Sequence, residues 1–191
     1  MNARRKGLLT AGVILAVGAL TGMGTMSAFS ATTRNEANTI TAGSVSITDN
    51  DAAAPLYVES NAAPALVITK CIEVTYTGSL DSTVELYLED TVTPLGTYVD
   101  LVIEDGTQAA PVFPDCTGFT ADQTLFTGEL ETFQTTHNSN ANGLNTPQAA
   151  AADWVQNDTR VYRFTLTIQD NTLAQGLTTG LHDFVWESTN V

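Results

Sequence analysis

The side chains of this chain that could do chemistry are few: His137, His182, Cys71, Cys116 and 21 carboxylates. A zinc seated on one helix needs two histidines a turn apart with a glutamate between them. No HExxH occurs, and His137 stands in the run THNSN while His182 stands in LHDF. The two read as a surface histidine and a strand-end histidine. Serine chemistry lacks its strand-to-helix elbow, because neither Gly43-Ser44-Val45 nor Gly78-Ser79-Leu80 is a GxSxG turn. The carboxylate pairs Glu89-Asp90 and Glu104-Asp105 fall at expected strand ends, where charge is solvated. Asp49-Asn50-Asp51 carries calcium-compatible oxygens without the loop pattern that ends in a glutamate. It reads first as a polar turn, with calcium the one cofactor left open. No catalytic or metal-binding residue is assigned from the sequence, and the expectation is a protein that is not an enzyme.

Charge excludes a further class. Every acidic residue follows position 35, whereas Arg4-Arg5-Lys6 holds three of the seven basic residues. Loss of residues 1–28 therefore moves the net charge from −14 to −17. Binding to nucleic acid needs clustered Lys and Arg, so nucleic acid is not an expected partner. The N-terminus itself has the three parts of an export signal: the basic cluster, an apolar run over residues 8–20, and small residues ending in Met26-Ser27-Ala28. A retained anchor needs about 20 apolar residues. Here the run thins into Thr21, Gly22, Gly24 and Thr25, so the membrane is met only through the uncleaved signal helix. The expected cut lies between Ala28 and Phe29, leaving 29–191 as one secreted domain. In an exported chain, two cysteines imply a Cys71–Cys116 disulfide. Closing a loop of that size contributes about 4 kcal/mol in the chain-entropy description.

The elements that must carry these residues are strands. Ile72, Val74 and Tyr76 alternate with Glu73, Thr75 and Thr77, and Val84, Leu86 and Leu88 alternate with Glu85, Tyr87 and Glu89, so two half-buried strands flank a turn at Gly78. By the same alternation Cys71 lies on the face opposite Ile72, which puts the disulfide over the outside of a sheet. Residues 39–48 give an earlier strand with a bulge at Ala42-Gly43, and Leu56, Tyr57 and Val58 a short edge strand. Val99, Leu101 and Ile103 give another, closed by Asp105-Gly106. Tyr162, Phe164, Leu166 and Ile168 share one face of a late strand, and Phe184 and Trp186 one face of the last. Thr146-Pro147 followed by four alanines predicts a short helix over 148–155, the single one of the mature chain. Residues 119–133 hold two apolar groups with no assigned state. About seven to nine strands with irregular connections make an all-β, jelly-roll-like sandwich of two sheets with one short helix.

Several of these stretches together resemble a known family. The junction Ala28-Phe29-Ser30, then Asn38-Thr39-Ile40-Thr41-Ala42-Gly43-Ser44-Val45, is similar to the export and first-strand signature of the TasA and camelysin family of secreted bacterial proteins. Cys71-Ile72-Glu73-Val74-Thr75-Tyr76-Thr77-Gly78, Phe113-Pro114-Asp115-Cys116 and the runs at 158–164 and 184–187 follow in the family's order. The resemblance implies a leader cut by an alternative signal peptidase and a jelly-roll subunit of biofilm-matrix fibres. It implies homopolymer growth in which an N-terminal strand, here 29–38 led by Phe29-Ser30-Ala31-Thr32-Thr33, enters the next subunit. Other matrix or cell-wall components are further implied partners. Because camelysin members are also called metallopeptidases, an extracellular metalloendopeptidase is the first alternative, and a monomeric cell-surface binding module the second. Terminal sequencing of the secreted protein is expected to begin at Phe29, and a start well beyond Asn38 would remove the segment on which assembly depends.

Overall fold

The computed structural model describes residues 39–148 and 153–191. The expected signal helix, the Ala28/Phe29 cut and the segment 29–38 lie outside the described residues. Eight strands follow in order: β1 (Ile47–Asp49), β2 (Val67–Tyr76), β3 (Ser82–Leu88), β4 (Val99–Gln108), β5 (Phe119–Glu129), β6 (Leu144–Asn145), β7 (Thr159–Ile168) and β8 (Phe184–Asn190). They form two antiparallel sheets, β1-β2-β7-β4-β5 and β6-β3-β8. The protein is an all-β sandwich, with one short α-helix, α1 (Leu130–Thr136), among the described residues. Alternation does what the sequence implies: Ile72, Val74 and Tyr76 from β2 and Tyr162, Phe164 and Leu166 from β7 are buried against Val84, Leu86 and Leu88 from β3. Phe164 meets Phe184 at 4.6 Å between ring centroids, and Tyr162 meets Trp186 at 5.3 Å. Each fully buried side chain of this size contributes about 1.5–3 kcal/mol.

The strands on either side of Gly78 do not pair. β2 is hydrogen-bonded to β7 and β3 to β8, so the turn carries the chain from one sheet into the other. Each strand is part of the other's opposing layer. Glycine is required at this corner, since a Cβ on Gly78 would run into the Tyr76 hydroxyl and the Ser44 carbonyl.

Four expectations are corrected. The first strand shrinks from 39–48 to Ile47–Asp49, because residues 44 and 46 spend their carbonyls on the Gly78 turn, where Thr77 and Gly78 donate to Ser46 and Ser79 and Leu80 donate to Ser44. Leu56, Tyr57 and Val58 form no strand. The helix expected over 148–155 is not formed at Gln148 or at Asp153, Trp154 and Val155, and 149–152 lie outside the described residues. Trp154 is instead buried, exchanging both main-chain hydrogen bonds with Ser82 and donating its Nε1–H to the Thr146 carbonyl at 2.7 Å. The helix forms at 130–136, where Leu130 and Phe133 are fully buried and Phe133 meets Phe126 edge-on at 4.9 Å.

The fourth correction is electrostatic. β4 does not close at Asp105-Gly106; two register shifts against β5 let pairing run on to Gln108, past a Gly106 whose Cβ would strike the Thr120 carbonyl. Asp105 thus points inward and is fully buried, with Arg160 Nη2 at 2.7 Å from its Oδ2. Arg160 Nη1 reaches Asp122 at 2.8 Å, and Gln123 donates to Asp105 as well. Glu104, on the outer face, pairs with Arg163 at 2.6 Å. Neither member of this carboxylate pair is simply solvated.

The disulfide joins Cys71 to Cys116 with 5.2 Å between Cα atoms. The connection from β4 to β5 folds back over the outer face of the larger sheet, passing Arg163 of β7, whose guanidinium lies over the Phe119 ring, to reach β2. There the Cys71 N–H donates to the Pro114 carbonyl at 3.1 Å. The cystine therefore ties a loop across the outside of a sheet and covers part of the β2 edge that three-residue β1 leaves unpaired. Replacing both cysteines by serine is expected to lower the unfolding free energy by about 2–4 kcal/mol, measured by chemical denaturation. Two free thiols in the purified protein, found by peptide mapping without reductant, would overturn the tie.

Candidate functional site

Five strands cannot be covered by three, and the two flanks are treated differently. Toward β4 and β5 the gap is filled by α1. Toward β1 and β2 the cover is the connection 50–66, which contains no regular element. Beneath it lies a cleft of about 860 Å³ that opens into the core. Its inner wall is Ile68, Ile72, Leu166, Ile168, Phe184 and Trp186. The covering wall includes Leu56 and Tyr57, both half-buried against the core. Four carboxylates, Asp49, Asp51, Glu59 and Asp183, line the rim. A smaller cavity of about 240 Å³ continues between β1 and β8, bounded by Ile47, Val74, Val185 and Trp186. Among the described residues, no strand pairs with the outer edge of β8.

This arrangement suits an extended peptide. A free strand edge offers main-chain hydrogen bonds, and an apolar cleft alongside it takes alternate side chains. It does not bring the two histidines together. His182 stands at the cleft, with Nε2 2.5 Å from the Tyr57 hydroxyl and Nδ1 3.1 Å from the Gly180 carbonyl. Burial pushes the Tyr57 phenol well above its ordinary value, so it stays a hydrogen-bond donor across the physiological range. His137 stands on a different element, where its N–H closes α1 on Phe133 and its carbonyl accepts from Leu88. Its Nδ1 lies 2.8 Å from the Asn142 carbonyl. No group of three or more His, Cys, Asp or Glu side chains suited to a metal ion is found among the described residues.

The Asp49-Asn50-Asp51 stretch behaves as the polar turn expected of it. Asp51 N–H donates to Asp49 Oδ1 at 3.1 Å, Ala53 N–H donates to Asp51 Oδ1, and Asn50 exchanges hydrogen bonds with Glu73. Partial burial raises the Asp49 carboxyl above its ordinary value; the Asp51 N–H opposes this by less, and the Asp51 carboxylate adds smaller upward pushes.

Leu56 and Tyr57 are the cleft-lining residues that periodicity missed. Their signal in the sequence was a lone apolar cluster between Pro55 and Pro64 in an alanine-rich linker, which reads as a plug as readily as an edge strand. The expected donor residues Phe29, Ser30, Ala31, Thr32 and Thr33 lie outside the described residues. Compared with protein-family models and with curated proteins, the chain matches none.

A carboxyl whose value is raised by folding adds stability below its unfolded value and loses that share as pH rises through the folded one. Asp49→Asn is therefore expected to leave stability unchanged in acid and to raise it at neutral pH. Carboxyl NMR titration should place Asp49 above the ordinary aspartate range, and a value at or below that range would contradict the assignment.

Proposed function

We propose that this chain is a secreted, non-enzymatic structural protein that polymerises at the cell surface or in the extracellular matrix, each copy giving its 29–38 segment to the next. The observation that carries this reading is the edge of β8, which no strand among the described residues pairs with, in a sheet two strands narrower than its partner and beside an apolar cleft. An added strand there gains main-chain hydrogen bonds while its large side chain enters the cleft. Phe29 is the one large apolar residue of the segment FSATTRNEAN. Cleavage frees an α-ammonium beside it, and this charge and Arg34 complement the four carboxylates of the rim. Head-to-tail donation does not close on itself, so it builds filaments.

The resemblance to TasA and camelysin proteins supports the same reading, and other matrix or cell-wall components are proposed as secondary partners. A peptidase of the camelysin type finds no support in the two histidines, which stand on separate elements with main-chain and tyrosine partners.

The test is polymer growth followed by electron microscopy and light scattering. Deleting 29–38 is expected to leave a folded monomer that does not polymerise. Phe29→Ala should weaken each junction by about 2–3 kcal/mol. At a net charge of −17 the subunits repel each other, so added salt or lower pH is expected to speed growth. Fibres formed by the truncated chain at the wild-type rate, under matched salt and pH, would sink the proposal.

A further inference from the structure

The connection from β1 to β2 joins two adjacent antiparallel strands, a task for which two to five residues are enough. Here it takes residues 50–66. Its ends are anchored to the larger sheet. Asn50 exchanges hydrogen bonds with Glu73 at one end, and Ala65 N–H donates to the Ile168 carbonyl at 2.8 Å at the other. Between these anchors, one hydrogen bond to the body of the sandwich is found among the described residues, from the Tyr57 hydroxyl to His182 Nε2. The rest of the hold is Leu56 and the Tyr57 ring lying half-buried on the core.

The backbone of the connection is strained. Ala52, Ala53, Asn61 and Ala65 have φ values of 53°, 63°, 56° and 63°. The left-handed region is costly for alanine, which has a Cβ and no side-chain group to compensate. Three alanines held there make the connection costlier than a relaxed loop of the same length.

We propose that 50–66 is a hinged lid over the inter-sheet cleft, latched by Tyr57 on His182, and that it must lift before the cleft receives an incoming strand. The occupant is the 29–38 segment of a second copy, whose cationic, aromatic-led start suits the acidic rim and apolar floor; in this respect the inference rests on the strand-donation reading above. With the lid down, Leu56 and Tyr57 cover apolar surface that a soluble subunit cannot leave bare. With the lid raised, the incoming aromatic replaces them, so the cleft is never left wet. The lid thus sets the rate at which a monomer becomes an acceptor.

Hydrogen exchange and polymer growth of the mature protein test this together. Amides within 52–64 are expected to exchange as one fast unit while those of β2 and β7 stay protected. Tyr57→Phe keeps the ring and removes the latch hydroxyl. It should raise exchange in 52–64 by about fivefold, the share of one ordinary hydrogen bond, without changing β2 or β7, and should speed growth in proportion. His182→Ala removes the acceptor and should act in the same direction, which keeps the test alive if Tyr57→Phe misfolds. Exchange in 52–64 as slow as in β2, in wild type and variants alike, overturns the lid. Faster exchange in a variant with an unchanged growth rate overturns its role as gate. If the exchange pattern appears as expected while no protein polymerises, the lid stands and strand donation falls.

Discussion

A five-stranded sheet laid against a three-stranded one leaves apolar surface uncovered at both flanks, and the rest of the structure answers that mismatch. On one flank the answer is permanent. α1 crosses from the end of β5 to the smaller sheet and buries Leu130 and Phe133, and the carbonyl of His137, the residue that caps it, accepts from the Leu88 N–H. On the other flank the answer is a covering loop that brings two half-buried side chains and leaves a cleft beneath them. Helix and loop meet the same requirement to different degrees, Leu130 and Phe133 fully buried on one flank and Leu56 and Tyr57 only half-buried on the other.

The two ends of the sandwich are also unlike. Tyr76, Trp154 and the Arg160–Asp105 pair close one end, and the pair is inaccessible to solvent. Burying two charges is costly unless both are well partnered; Asp122 and Gln123 supply additional contacts here, while Asp105 Oδ1 and Arg160 Nε find no partner among the described residues. An ion pair of this kind penalises any shift of β7 along β4, because a one-residue slip would turn Arg160 or Asp105 outward and strand the other inside. The opposite end, at Ile68, Ile168 and Phe184, has no such clasp and is where the cleft opens. Register is fixed at one end and access is provided at the other.

Strands β2, β3, β4, β7 and β8 were legible because alternation reports which face of a strand is wet; β5, exposed along most of its first half, and two-residue β6 carry no such alternation. Alternation does not report neighbours, so it placed a strand on either side of the Gly78 turn without revealing that the turn is a corner between sheets. Asp105 was read as a strand end for a related reason: its partner Arg160 is 55 residues away, and no local pattern links them. The alanine-rich stretch after Pro147 had helical propensity, but Trp154 at its end is better buried on the smaller sheet than exposed on a short helix. The threonine-rich helix α1 had little propensity and formed because Phe133 found Phe126. The cleft was not legible at all, since it arises from the difference in width between two sheets, which no stretch of sequence carries. The outward disulfide, by contrast, followed from cysteine count and strand phase, both local quantities.

In the filament proposed above, that disulfide would have a mechanical meaning. Tension along such a filament enters each subunit through the segment before β1, reaches β2, and leaves through the smaller sheet by way of β8. Pulled alone, β2 could be peeled from β7 one hydrogen bond at a time. The cystine fastens the middle of β2, by a covalent strap laid across β7, to the loop joining β4 and β5. A pull on one strand is thereby shared among four, and peeling is converted into shear of a whole sheet, the loading direction in which β-structure is strongest because many hydrogen bonds must break at once.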